Sequence, residues 1–350
     1  AYASGSLISR YLRYNIYKGV EDGEVIDPAT GKLNPLAKEL KWTDDWNRDV
    51  FKAGIRQEYT LAVSGGSEKT KAYMSVSYLN DNGYVPNSGF RRVSVRAKID
   101  QNIAKWLKAG LNVAYSNTNQ NQFGAESSGS YSNIFFFGQN IAPIYPIYLY
   151  DLETGERLYG ENGETLYDWG EKRAYGQLSN PYGQLLSSTV NSVRDNMSSR
   201  GYLDFDIVKD LKFTVNLAYD IFNTKSDNYT TPVGGDAATV NGRGKQSTGR
   251  YSALNTNQLL SWTPSFGSSR EHSLSLLLGH EIKSDASYGL SGEMTNFVDP
   301  TVSDFANAVV YQNLDSSRSS YFLQGIFSRA EYSYANRYFV SASYRRDASS

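Results

Sequence analysis

LKFTVNLAYDI, residues 211–221, is the stretch from which the fold is read. Leu211, Phe213, Val215, Leu217, Tyr219 and Ile221 alternate with Lys212, Thr214, Asn216 and Asp220. Successive side chains of an extended strand point to opposite faces, so one face here is apolar and the other polar. The run is about twice the usual globular strand and about what a tilted strand needs to cross a bilayer.

The same alternation recurs on both sides. Upstream, Tyr59, Leu61 and Val63 share a face, followed by Ala72, Met74, Val76 and Tyr78, and by Val93, Val95, Ala97 and Ile99. Leu107, Ala109, Leu111, Val113 and Tyr115 alternate with Lys108, Gly110, Asn112 and Ser116. Leu203, Phe205 and Ile207 precede the decisive stretch, weaker strands run near 251–263 and 271–283, and a last pair holds Ala330, Tyr332, Tyr334, Tyr338, Val340, Ala342 and Tyr344. Residues 103–116, IAKWLKAGLNVAYS, also echo 207–220, IVKDLKFTVNLAYD, as a repeated strand–turn–strand unit. About ten strands are expected.

The links between them alternate in length. Short ones fall at 65–70, 102–106, 208–210, 264–270 and 335–337, and long ones at 81–90, 118–196, 223–250 and 284–318. Outer-membrane barrels pair brief periplasmic turns with long external loops, whereas a Greek-key sandwich has no reason to keep that parity. The fold class is therefore all-β, an antiparallel transmembrane β-barrel. Residues 1–56 are expected to be a pre-strand segment, an extracellular loop with a short helix, and 57–350 part of the barrel. The alternation puts Leu107, Leu111, Val113, Leu211, Val215, Leu217, Val340 and Ala342 toward lipid. Lys108, Asn112, Lys212, Thr214, Asn216 and Ser341 then face the lumen. Trp106, Trp262, Tyr334 and Tyr338 lie in or beside short turns and are expected to form a lipid-interface girdle.

Composition agrees. The 350 residues include 28 Tyr, 15 Phe and 5 Trp, yet mean hydropathy is −0.51, as when apolar and polar positions alternate. No apolar run approaches the roughly 20 residues of a membrane helix. A formal charge of −1 gives no reason to expect nucleic acid, and the lack of cysteine removes disulfides and thiolate chemistry.

Four segments resemble the SusC/RagA family of TonB-dependent transporters. They are WTDDWNRDVFKAGIRQEYTLAVSGGSEKTKAYMSVSYLNDNGYV (42–85), RRVSVRAKIDQNIAKWLKAGLNVAYS (91–116), the Pro-x-x-Pro segment NIAPIYPIYLYDLETGE (140–156) and FSRAEYSYANRYFVSASYRRDASS (327–350). The resemblance implies multi-pass insertion in a Gram-negative outer membrane, as in the Bacteroidetes, and import of oligosaccharides or peptides. It also implies a 22-stranded barrel with a plug, TonB as energy source and a SusD-like surface lipoprotein as partner. Plug and TonB-contacting segment are not found in these residues, so about ten strands of a larger barrel are expected here, forming an open sheet in which 57–64 does not pair with 338–345.

Catalytic and metal chemistry find little footing. His272 and His280 sit eight apart on one strand and are expected as surface or interfacial residues near strand ends. GGDAATVNGRGKQS (234–247) lacks the Ser or Thr of a P-loop, and Asp204 and Asp206 read as lumen-facing positions rather than a glycosidase pair. No cofactor is expected; calcium has oxygens enough in the external loops, but their spacing does not match an EF-hand. The loop 145–171 is the candidate substrate site. Tyr148, Tyr150, Tyr159, Tyr167 and Trp169 sit beside carboxylates such as Asp168, and aromatic faces stack on sugars while carboxylates accept hydroxyl protons. A self-packed hairpin or a lipoprotein-docking surface is the plainer reading of the same loop. The leading function is import; a secreted carbohydrate-active enzyme, a glycan-binding adhesin or a passive pore are the alternatives.

Overall fold

The computed structural model describes residues 15–21, 23–27, 29–122, 132–171, 173, 176–267 and 271–350. Ten long strands form one antiparallel sheet in chain order. They are β1 (Arg56–Gly66), β2 (Thr70–Asn82), β3 (Gly89–Ala104), β4 (Leu107–Asn121), β5 (Thr189–Val208), β6 (Leu211–Thr230), β7 (Arg243–Trp262), β9 (His272–Phe297), β10 (Ala308–Tyr334) and β11 (Tyr338–Ser349). A two-residue stub, β8 (Ser265–Phe266), pairs with the start of β9. Among the described residues no helix is long and apolar enough to cross a membrane.

The ladder confirms the two-faced reading. Residues directly opposite in an antiparallel pair share a face. One apolar row runs Leu211, Trp262, Leu276, Ala330, Ala342, and the next runs Phe205, Phe213, Leu260, Leu278, Ser328, Tyr344. Farther along the strands, on the other face, lies the row Tyr202, Asn216, Asn257, Glu281, Gly325, Asp347. Leu111, Leu217 and Val340 are 50, 51 and 68 % exposed. Apolar side chains left that open across a whole sheet face mark a surface meant for lipid. From Leu211 to Ile221 is about 33 Å of strand, which at about 40° of tilt rises about 25 Å, the height of an outer-membrane barrel's apolar band.

The strands overrun the expected ends. The connections 83–88, 122–188, 231–242 and 298–307 replace the expected 81–90, 118–196, 223–250 and 284–318. The physical reason is visible in β5, whose start, TVNSVRDN, is polar on both faces. Period-2 alternation marks only the part of a strand that meets lipid, while the backbone ladder continues beyond it. The parity survives, with short turns at one end and the larger connections at the other. The sequence echo is also structural, because each copy carries a register shift at the same position, between Asn102 and Ala104 and between Asp206 and Val208.

Trp106, Trp262, Tyr334 and Tyr338 all stand at the short-turn end and are 55, 43, 41 and 63 % exposed. Tyr334 and Tyr338 stack at 6.5 Å across a tight turn in which Ala335 and Asn336 both have positive φ, the hairpin geometry that matches strand twist. β1 and β11 do not pair, so among the described residues both edges of the sheet are open. An unpaired backbone group in hydrocarbon costs several kcal/mol, roughly, so a sheet open at both edges spans a bilayer only as part of a larger barrel.

The short helix expected within 1–56 falls largely on residues 1–14, which lie outside the described residues; the described part of 15–55 holds turns and the bridges Tyr17–Leu40 and Ile26–Leu33. One expectation needs correction. His272 does sit at a strand end, 5.2 Å from the Phe266 ring, but His280 lies well inside β9 on the apolar face. Its ring spans two amides: Nδ1 is 2.7 Å from Gln258 Oε1 and Nε2 is 2.9 Å from Gln324 Nε2. Both contacts are hydrogen bonds when Nδ1 carries the proton, so the three polar groups satisfy one another in an apolar surrounding. His280→Ala strands both amides and is expected to cost about 1–3 kcal/mol, read as a lowered melting temperature of the barrel. Changing Gln258, His280 and Gln324 together to Leu should restore it; a single variant as stable as the parent would contradict the pairing.

Candidate functional site

The packed core of this chain lies in its loops, above the long-loop end of the sheet. Trp42, Trp46 and Val50 pack with Val85, Ile134, Phe137, Ile141, Ile144, Tyr145, Ile147 and Leu185 in one buried cluster. Two short helices frame it. α1 (Ile134–Asn140) is started by Asn133, whose side chain accepts from the Phe135 and Phe136 N–H groups, and it sets Phe137 4.6 Å from Trp46. α2 (Pro181–Ser187) begins with a proline at its first turn and is capped by Asn180, which accepts from Gly183 N–H at 2.9 Å.

The segment WTDDW (42–46) clamps PIYPIYLY (143–150). Trp42 and Trp46 donate their indole N–H groups to the Ile144 and Tyr145 carbonyls, both at 3.0 Å. Between them the Asp44 carboxylate accepts from Ile147 N–H at 2.8 Å, Tyr148 N–H at 3.2 Å and the Tyr150 hydroxyl at 2.8 Å. Burial, with the Asp44 hydrogen bond second, pushes the Tyr150 phenol far above its ordinary range, so it stays a donor.

Held in this way, the loop folds into a small ladder through the bridges Tyr148–Tyr167, Tyr150–Arg157 and Tyr159–Thr165. Tyr148, Tyr167 and Tyr182 form a triad with ring centroids 5.9, 6.3 and 6.0 Å apart. The Arg157 guanidinium lies 3.5 Å over the Tyr148 ring and 5.3 Å from that of Tyr159, so a cation is sandwiched between two aromatic faces. Burial pushes the Tyr182 phenol up to about 12. Tyr159 is 55 % exposed at the outer edge. The neighbouring turn is closed by Asp151, whose carboxyl is held below its usual range by the Thr154 and Glu153 N–H groups.

The remaining candidates point elsewhere. Asp168 is 5 % exposed; its carboxylate accepts from Gly170 N–H at 2.8 Å and lies 3.9 Å from the fully buried Arg173. Asn180 donates to the Ile147 and Asp168 carbonyls, so Asp168 sits in a buried network that fixes the loop. Trp169 packs on Gly234, where a Cβ would come within 2.0 Å of its ring, and so joins this loop to the next. Arg157, Tyr182 and Asp44 were not singled out from sequence; each acts through a contact with no local periodicity.

Below the loops, the polar face of the sheet is laced with ion pairs. Arg200 meets Asp220 at 3.0 Å, Lys98 meets Asp100 at 2.9 Å, Lys283 meets Asp285 at 3.0 Å and Arg345 meets Glu281 at 3.2 Å. Asp204 binds Lys212 at 3.3 Å and the Thr214 hydroxyl at 2.7 Å, a wall contact rather than half of an acid–base pair. Such solvated pairs contribute little stability each, and together they give a hydrated wall of mixed sign. Among the described residues no group of three or more His, Asp or Glu is placed to hold a metal ion.

No protein-family model matches the chain. Among characterised proteins it is similar to TonB-dependent receptor P3 of Formosa agariphila, 27 % identical over 326 residues, covering 87 % of this chain and 29 % of that protein. TonB-dependent receptor P39 of the same organism is 25 % identical over 349 residues, covering 98 % of this chain and 31 % of the relative. Among solved structures the RagAB peptide transporter superposes with a TM-score of 0.70 at 21 % identity, over 88 % of this chain and 33 % of that one. The chain spans about a third of the length of the relatives it matches. The resemblance to TonB-dependent receptors is thus borne out, as are the partial antiparallel barrel fold and the outer-membrane location.

Proposed function

We propose that this chain supplies part of the wall and one external loop cluster of an outer-membrane importer for oligosaccharides or peptides, driven through TonB. The observation that carries the reading is the sheet itself, lipid-compatible on one face and lined with charged and amide groups on the other, with a packed loop cluster at one end only. The kinship with TonB-dependent receptors supports energised import, and the likeness in fold to a peptide transporter keeps peptides beside glycans as substrate class. A SusD-like lipoprotein is the partner proposed to cover the external mouth, and TonB to act through the rest of the polypeptide. Within the loop cluster, Tyr159 with Tyr148 and Tyr167 offers aromatic edges for a sugar or peptide side chain, while Trp169 braces the loop against Gly234. Tyr150 and Asp168 act as its fixed supports. Trp106, Trp262, Tyr334 and Tyr338 are proposed to lie at the periplasmic headgroup layer.

The test is uptake by cells that carry or lack the intact protein, offered single labelled oligosaccharides and peptides. Loss of uptake of one class on deletion, and equal loss when the proton-motive force is dissipated, is the expected result. Uptake that persists without the proton-motive force would mean a passive pore, and unchanged uptake of both classes would set the import reading aside.

A further inference from the structure

Above the apolar rows, the lipid-facing side of β7, β9 and β10 carries a feature that import does not use. Arg250, Tyr288 and Arg318 stand directly opposite one another on these three strands, and Ser252, Ala286 and Ser320 form the next row below. Both rows are on the face that carries Leu254, Ile282 and Phe322. Together with Ser287 and Ser319 of the opposite face, these residues line a shallow groove of about 470 Å³. All three of the upper side chains are exposed, and the Arg318 guanidinium lies 5.4 Å from the Tyr288 ring.

Neither arginine has an ion-pair or hydrogen-bond partner among the described residues, in a chain where most other cations on the strands are paired. The neighbouring positions on this face are Thr248, Leu290 and Ser316 above and Leu254, Ser284 and Phe322 below, with no carboxylate among them. Adjacent strands lie about 4.8 Å apart, so the two arginines flank Tyr288 at about 10 Å, a span their long side chains close around one anion. The two serine hydroxyls and the tyrosine hydroxyl add donors, and Ala286 leaves the floor open.

The height is what names the ligand. Arg250 is about 40 Å of strand from Trp262 at the short-turn end, or about 30 Å of rise at about 40° of tilt. That is about 5 Å beyond a 25 Å apolar band, in the headgroup layer of the outer leaflet. We propose that Arg250, Arg318 and Tyr288, with Ser252 and Ser320, bind the phosphate of an outer-leaflet lipid headgroup. Planar guanidinium groups take phosphate oxygens in pairs, and Tyr288 provides the aromatic anchor usual at that depth.

The test uses the intact protein that carries this chain, purified in detergent and titrated with phosphatidic acid or phosphatidylcholine while bound lipid is counted by native mass spectrometry. The parent is expected to retain phosphatidic acid preferentially. A double variant, Arg250→Ala with Arg318→Ala, should bind it about thirtyfold more weakly, the effect of removing two interfacial charges. Arg91→Ala, on the same face of β3, should change nothing. Three results would overturn the proposal: a double variant that binds like the parent, an equal loss in Arg91→Ala (rim charge of no particular place), or displacement of the lipid by inorganic phosphate alone (a soluble-anion site). Import is not read in this experiment, so its outcome is independent of the transport reading.

Discussion

Leu217→Arg is expected to remove most of the folded protein from the outer membrane. Leu217 lies near the middle of the apolar stretch 211–221, 51 % exposed, opposite Gly201 on β5 and Thr256 on β7. An arginine at the midplane of an outer-membrane barrel's lipid face costs about 2–4 kcal/mol, and the small neighbours Gly201 and Thr256 offer no carboxylate to pair with it. Asn216→Arg, one residue away, puts the same charge on the polar face beside Tyr202 and Asn257, where it stays hydrated. Quantifying folded barrel in isolated outer membranes should show a large loss for the first variant and little for the second. Equal effects at both positions would mean that the two faces do not see different solvents.

The second large effect is expected in the loops. Asp44→Ala removes the acceptor of two backbone N–H groups and one half-buried phenol together. Each stranded donor costs about 1–3 kcal/mol, and Tyr150, packed 5.5 Å from Trp42, has little room to turn toward water. The cluster around 143–150 should open while the strands, which share no core with it, remain paired. Limited proteolysis is expected to cut the variant within 140–160 where the parent resists, with the melting transition of the barrel unchanged. Asp44→Asn keeps acceptor capacity through its carbonyl and should lie between the two. A variant that resists cleavage like the parent would show that the tryptophans alone hold the loop.

How far the sequence carries this account differs by region. The alternation of Leu211 to Ile221 made the face assignment legible, because a single pattern of side chains meets a single solvent boundary. The same boundary explains the misjudged strand ends: at Asn191 to Asn196 or Asn223 to Thr230 both faces meet water, so nothing in residue type marks the strand. Tyr148 and Tyr167 were recognisable as an aromatic concentration, but Arg157 between the rings, Tyr182 beside them and Asp44 beneath were not. Asp44 and Tyr150 are 106 residues apart, and such a contact has no period to betray it. Asp168 illustrates the reverse problem. A carboxylate in an aromatic loop reads as a ligand-facing acid until its burial against Arg173 is seen. His280 failed for a related reason, since its partners Gln258 and Gln324 come from strands that only the sheet register brings beside it.

The central claim is that each strand separates lipid from water residue by residue. It is tested most directly by spin-label scanning of 211–221 in the membrane-inserted protein, made simple by the absence of cysteine from this chain. Labels at 211, 213, 215, 217, 219 and 221 should be relaxed by oxygen, which partitions into hydrocarbon. Labels at 212, 214, 216, 218 and 220 should respond instead to a water-soluble nickel chelate. A two-residue period in opposite phase for the two reagents is the predicted result. Equal response to the nickel chelate on both sets, or a period near 3.6, would contradict the membrane-spanning sheet.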